Sequence, residues 1–212
     1  MASPDWVTIS SLATGAGTLV LAVSTFAAVR SANRAARIAE QSLLIGLRPL
    51  LVPSRLQDLA QKVFFIDGKY VVAEGGSAGV EIDGDVIYLA ISLRNAGSGI
   101  GVLHGWRFQV GRQHRQQHPD LAEFRMLNRD IYLPPSDIGF WQGAFREPDD
   151  PLRESALQAI KAAETMTIDV LYGDHEGGQR AISRFVLQPR GDQPKWMATV
   201  AQHWNVDRPD PR

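Results

Sequence analysis

Between Asp5 and Arg30 the chain carries no charge, and the apolar run from Trp6 to Val29 is long enough to cross a bilayer core of about 30 Å as a helix. This run predicts a single-pass membrane protein. Ser3 suits the N-cap, Pro4 the first helical position, and Asp5 adds favourable charge to the first turn. Trp6 would then lie in the interfacial zone, with Leu12, Leu19, Val20, Leu21, Val23 and Phe26 in hydrocarbon. Ser10, Ser11, Thr14, Thr18, Ser24 and Thr25 temper its apolarity, but their hydroxyls can bond to carbonyls one turn back. A cleaved signal peptide is the rival reading. It needs a basic leader and a small-residue cleavage site, whereas the leader here is MASPD and the basic residues follow the span.

Those residues are Arg30, Arg34 and Arg37, spaced four and three apart. By the positive-inside rule they predict a cell-membrane protein with its N-terminus outside and its C-terminal domain in the cytoplasm. Their partner is the lipid bilayer, either as plain stop-transfer charge or through contacts with anionic headgroups. Ala13 and Gly17, continued by Ala28, Ala32, Ala35 and Ala39, form a narrow small-residue seam. It permits self-association of the anchor helix, although alanine and glycine are also common in spans for other reasons. The Arg/Ala-rich stretch continues as a juxtamembrane helix, with Gly46 as a fraying point and Pro49 as its stop.

Four segments follow from this reading: residues 1–29 as tail and transmembrane helix, 30–49 as juxtamembrane helix, 50–205 as one β domain, and 206–212 as an extended tail. With 22 basic against 23 acidic residues there is no global field to attract nucleic acid, and none is expected as a partner. No cysteine is present, so disulfides and thiolate metal sites are excluded.

Beyond Pro49 the pattern becomes that of short strands. Leu50 to Val52 and Val63 to Ile66 are apolar runs, and Asp67-Gly68 signals a hairpin into Tyr70, Val71 and Val72. Gly75 to Gly79 reads as a flexible stretch. The clearest strand is DVIYLAISLRN, in which Ile87, Leu89, Ile91 and Leu93 alternate on one face, and Trp106, Phe108 and Val110 repeat the period. Further strands are expected at Met126 to Leu133, Ile138 to Phe145, Met166 to Tyr172, Ile182 to Leu187 and Trp196 to Trp204. One helix interrupts them, capped by Asp150 and Pro151, with an apolar stripe of Leu152, Ala156, Leu157, Ile160 and Ala163. Many short strands with one helix predict a mainly β domain, an antiparallel sandwich of about seven to nine strands with one inserted helix.

The segment LRNAGSGIGVLHGWRF, Leu93 to Phe108, places Asn95, Gly97, Gly99 and Gly101 between two strands. It resembles the N-x-G-x-G turn of immunoglobulin-like sandwich modules in bacterial surface and membrane proteins. The layout of span, Arg/Ala-rich helix, Leu47 to Leu50 and this turn is similar to that of uncharacterised actinobacterial single-pass proteins. That resemblance implies an immunoglobulin-like fold in which the following strand crosses to the other sheet. It implies no activity. Read as residues, the three glycines are expected at positive φ and Asn95 is expected to bond its own downstream backbone. A phosphate cradle is a poor fit, because a strand and not a helix follows.

Asp174, His175 and Glu176 form the densest polar cluster and offer metal-binding or acid/base chemistry. Consecutive residues on an extended chain point to alternating sides, so a hairpin loop is the simpler account. His104, His114, His118 and His203 show no metal-ligand spacing, and no serine lies in a G-x-S-x-G elbow. No catalytic, cofactor-binding or metal residue is therefore nominated, and no cofactor is expected. Phe140, Trp141, Phe145 and Trp106, with Trp196 and Trp204, are expected in the core. The function expected is that of a membrane-tethered interaction or accessory module with a membrane or cytoplasmic protein partner. Its rival is a membrane-bound hydrolase or metal-dependent enzyme using Asp174, His175 and Glu176.

Overall fold

Helix α1 (Trp6–Gly46) runs unbroken for 41 residues in the computed structural model, which describes residues 5–113, 118–191 and 195–210, without the side chains at 6, 8, 9, 41, 44 and 45. Ser3, Pro4, His114 and the Trp6 ring thus lie outside the described residues. At 1.5 Å per residue α1 is roughly 60 Å long, about twice the hydrocarbon thickness. Its Ser10–Glu40 segment contains an 18-residue stretch of mean hydropathy 1.8, long and apolar enough to span a membrane. Thr14, Thr18 and Thr25 donate to the carbonyls of Ser10, Thr14 and Leu21 at 2.8 to 2.9 Å, so these hydroxyls are satisfied within the helix. The chain divides into two units, Met1–Ile45 and Gly46–Arg212, each described by itself below.

The second unit is mainly β. Its strands are β1 (Leu51–Pro53), β2 (Gln61–Phe64), β3 (Tyr70–Ala73), β4 (Ser77–Asp83), β5 (Val86–Asn95) and β6 (Gly101–Val110). These are followed by β7 (Arg125–Leu133), β8 (Ile138–Phe145), helix α2 (Arg153–Lys161), β9 (Met166–Asp174), β10 (Ala181–Arg190) and β11 (Lys195–Asn205). All ladders are antiparallel. Nine strands form one sheet in the order β1-β5-β4-β11-β10-β9-β6-β7, with β8 on the other edge of β5. Residues 87–94 of β5 pair with β8, while β4 and β1 share its opposite edge in succession.

The sheet therefore curls as a half-barrel, with β8 at one margin and β7 at the other, where a stacked pair of sheets was expected. Alternation specifies only which residues face inward, and a curled sheet buries the same faces as a sandwich does. Leu89, Ile91, Leu103, Trp106, Trp141, Phe145, Ile168, Phe185 and Trp196 fill the interior. Trp106 meets Trp141 and Phe145 edge-on, with ring centroids 5.3 Å apart in both contacts. Trp204 departs from the expected cluster: it packs with Phe124, Leu171 and Ile182 in a separate cluster.

Four local expectations change. The stretch Gly75 to Gly79 is not a flexible link, because its residues are buried and Ser77 onward is β4. A Cβ on Gly79 would lie 2.4 Å from the Val71 side chain, so glycine here serves close packing against the β2–β3 hairpin. Helix α2 is capped at its start by Leu152 and not by Asp150 and Pro151, which lie in the turn before it; its buried residues are Ala156 and Ala159, and Ala163, at φ 49°, lies just beyond its end. The turn glycines 97, 99 and 101 do not adopt positive φ. Added Cβ atoms at Gly97 and Gly99 would lie 2.3 Å from the Arg48 carbonyl oxygen and 1.7 Å from that of Leu47, so space decides these residues.

The last of the four concerns the tail. Residues 206–210 are tied down: Asp207 accepts from the Arg180 guanidinium at 2.7 Å, and Asn205 donates to the carbonyl of Pro209 at 3.0 Å. Arg180, directly before β10, holds this stretch by donating from its backbone N–H and its guanidinium to Asp207 and by accepting from Val206 N–H.

Candidate functional site

The β2–β3 hairpin is apolar on both faces. Its turn is closed by Asp67-Gly68, with Gly68 at φ 79° and Phe65 N–H donating to the Lys69 carbonyl at 2.8 Å. Val63, Phe65, Val71 and Ala73 face inward, onto Tyr88 and Ala90 of β5. This second layer explains why β5 is buried on both sides, although alternation assigned it only one buried face. Asp67 fastens the turn by accepting from the Tyr88 hydroxyl at 2.7 Å and Arg146 Nε at 3.2 Å. Burial opposes its ionisation, but those two donors prevail and hold its carboxyl below the usual range.

The opposite face of the hairpin is uncovered. Phe64 and Tyr70 sit side by side there, 5.9 Å apart, with Val72 next to them and Ile66 at the turn 92% exposed. The Lys62 ammonium lies 3.9 Å from the Tyr70 ring centre. Exposed apolar side chains clustered in this way, with a charge at the rim, are typical of an interaction surface.

Next to this face lies a cleft of about 370 Å³ between β7 and β8, where the half-barrel is not closed by a ladder. Phe65, Trp106, Ile131 and Ala144 give it apolar walls, and Arg125, Arg129 and Arg146 supply guanidinium groups. Arg125 is paired with Asp150, and Arg146 with Asp67. The Arg125 hydrogen bond holds the Asp150 carboxyl below its ordinary value.

A third feature is a charge ladder across β6, β9 and β10, where Arg107, Asp169 and Arg184 are direct register partners. Asp169 Oδ1 accepts from Arg184 Nε at 2.7 Å, and Oδ2 accepts from Arg107 Nη2 at 2.7 Å. Glu123 offsets the second arginine through a short ion pair with Arg107. These charges are mutually satisfied, and the ladder reads as a structural strut bordering a polar hollow with Gln109 and His118.

The Asp174-His175-Glu176 cluster of the rival enzyme reading does not converge. Asp174 is buried and closes the β9–β10 turn, accepting from Gly178 N–H at 2.8 Å and Gln179 Nε2 at 3.1 Å. His175 and Glu176 are the exposed central residues of that turn, 3.2 Å from one another. Among the described residues no group of three His, Asp or Glu side chains is arranged to hold a metal.

His104 is half-buried, and burial lowers its pKa. Ser183 and His203, opposite each other in the β10–β11 register, approach to 2.7 Å, but the serine is fully buried and also engages the Tyr172 hydroxyl at 2.9 Å. Burial pushes the Tyr172 phenol up, so it remains protonated.

Sequence reading missed the outer hairpin face and Arg129. The signal for the first was present: consecutive apolar residues at Val63 to Ile66 and again at Tyr70 to Val72 cannot all face one core. Comparison with known proteins assigns no family, since no family model and no curated protein matches. A solved structure described as "Crystal structure of protein from Archaeoglobus fulgidus" is similar over 70% of this chain and 96% of that chain, at 12% identity and a TM-score of 0.24, too slight a likeness to bear on function.

Proposed function

We propose that this chain is a membrane-tethered interaction or accessory module with no catalysis of its own. In this reading α1 crosses the cell membrane once, with the N-terminus outside and the β domain in the cytoplasm, as Arg30, Arg34 and Arg37 favour. The half-barrel is an opened relative of the immunoglobulin-like sandwich, a view supported by the Asn95 turn, which joins the two limbs of the curled sheet through β5 and β6. The partner is a membrane or cytoplasmic protein. Tethering raises its effective concentration near the domain.

The observation that carries this reading is the exposed face of Phe64, Tyr70 and Val72 on a hairpin whose other face already fills a core. A photo-crosslinking residue at Tyr70 or Val72 of the full chain, in its native membrane, is expected to capture a discrete protein. The same residue at exposed Glu154 on α2 is expected not to. Equal products at all three positions, or none at Tyr70 and Val72, would overturn the reading. The orientation is checked separately with C-terminal reporter fusions: activity of a periplasm-only reporter would reverse it.

A further inference from the structure

We propose that the cleft between β7 and β8 binds a fatty acid, its chain against Phe65, Trp106 and Ile131 and its carboxylate on Arg129. The cleft, at about 370 Å³, falls within the usual span of small-molecule sites, roughly 300 to 1,000 Å³. Apolar and polar groups share its lining about equally, the polar ones being chiefly Asn128, Gln142 and the arginines, and no carboxylate lines it. Of its three guanidinium groups, Arg125 is neutralised by Asp150 and Arg146 by Asp67. Arg129 instead donates to neutral acceptors, Gln142 Oε1 at 2.7 Å and the Phe64 carbonyl at 3.5 Å. Asp130, next in the chain, accepts from Tyr132 and does not line the cleft.

One positive charge, on exposed Arg129, is thus left beside the apolar part of the cleft. Charge complementarity selects a monoanion with an apolar body, and a carboxylate matches the planar guanidinium fork.

The backbone explains how Arg129 reaches this position. In the β6–β7 ladder Met126 faces Gly105 and Ile131 faces Leu103, so Leu127 to Asp130 stand opposite His104 alone. This bulge swings Arg129 toward β8 and β2, as bulges next to sites commonly re-aim a side chain. It also breaks the regular edge that an extended peptide would need for strand addition, which favours an acyl chain as occupant.

The test uses the full chain in phosphatidylcholine nanodiscs with a diazirine-bearing dodecanoate, its dodecanol counterpart and peptide mapping by mass spectrometry. The acid is expected to label residues 64–66 and 126–131, in competition with unlabelled dodecanoate. The alcohol should label these segments at least about tenfold less, the loss expected for a charge-assisted hydrogen bond. Arg129→Gln is expected to lower acid labelling to the alcohol level with an unchanged thermal transition, while Arg129→Lys retains part of it.

Equal labelling by acid and alcohol, wild-type labelling in Arg129→Gln, or labelling confined to α1 would overturn the proposal. Such a failure leaves crosslinking at Tyr70 and Val72 unaffected, so the two readings fall separately.

Discussion

Asn95 shows how much one side chain can fix. Its Oδ1 accepts from Gly97 N–H at 2.9 Å and Leu50 N–H at 3.1 Å, and its Nδ2 donates to the Gly99 and Leu133 carbonyls at 2.7 and 3.0 Å. Three separate segments meet on one fully buried amide. Asn95→Ala would leave these buried groups unpaired and is expected to cost about 2 to 4 kcal/mol, read as a shift in the urea midpoint. Gly99→Ala should also destabilise the fold, because its Cβ would overlap the Leu47 carbonyl. At Asp169, 1% exposed, substitution by Asn would leave two guanidinium groups without their shared carboxylate, at a cost of about 3 to 5 kcal/mol. A thermal melt of the variant checks it, and wild-type stability would refute the strut. The turn itself was legible in the sequence, but its reason was not. The atoms that exclude a Cβ belong to Leu47 to Leu50, some fifty residues earlier in the chain.

At the scale of elements, strands and hairpins other than β4 follow their signals, and β8 coincides with its expected span from Ile138 to Phe145. Helix α2 joins local and tertiary terms at one residue. Asp150 Oδ1 accepts from Leu152 N–H at 3.0 Å, while the carboxylate also holds Arg125 of β7. Its folded pKa lies below its ordinary 3.8, so the pair's stabilisation is fully present above that value and is lost as pH falls through the folded pKa. Asp150→Asn keeps an acceptor for Leu152 N–H and removes the ion pair. Urea midpoints measured from pH 7 down to pH 2.5 should therefore decline less steeply for the variant below about pH 4. An unchanged acid limb would sink this account. The hairpin was legible too, but its role as a second layer over β5 was not, since period-two patterning describes one strand and not what lies above it.

For the whole molecule, the decisive contrast lies between the helix and the sheet. If α1 spans a membrane, Leu19→Arg sets a charge near the middle of its apolar run, at about 2.5 to 3.5 kcal/mol on insertion scales. The variant is expected to shift from the membrane pellet to the alkaline-carbonate supernatant, whereas the wild type resists extraction. Retention of the variant would argue that the run is not the anchor. The apolar run from Trp6 to Val29 needed no structure to be found, because one helix satisfies its own backbone and its length and composition depend on nothing distant. The same holds for the strand periods and the Asp67-Gly68 turn, which are local chemistry. Whether those strands stack as two sheets or curl as one depended on which edges met. So did the open margin between β7 and β8, the bulge that aims Arg129 and the charge ladder on Asp169. Each is a pairing between residues far apart in the chain, and only the folded backbone selects among pairings that bury the same apolar faces.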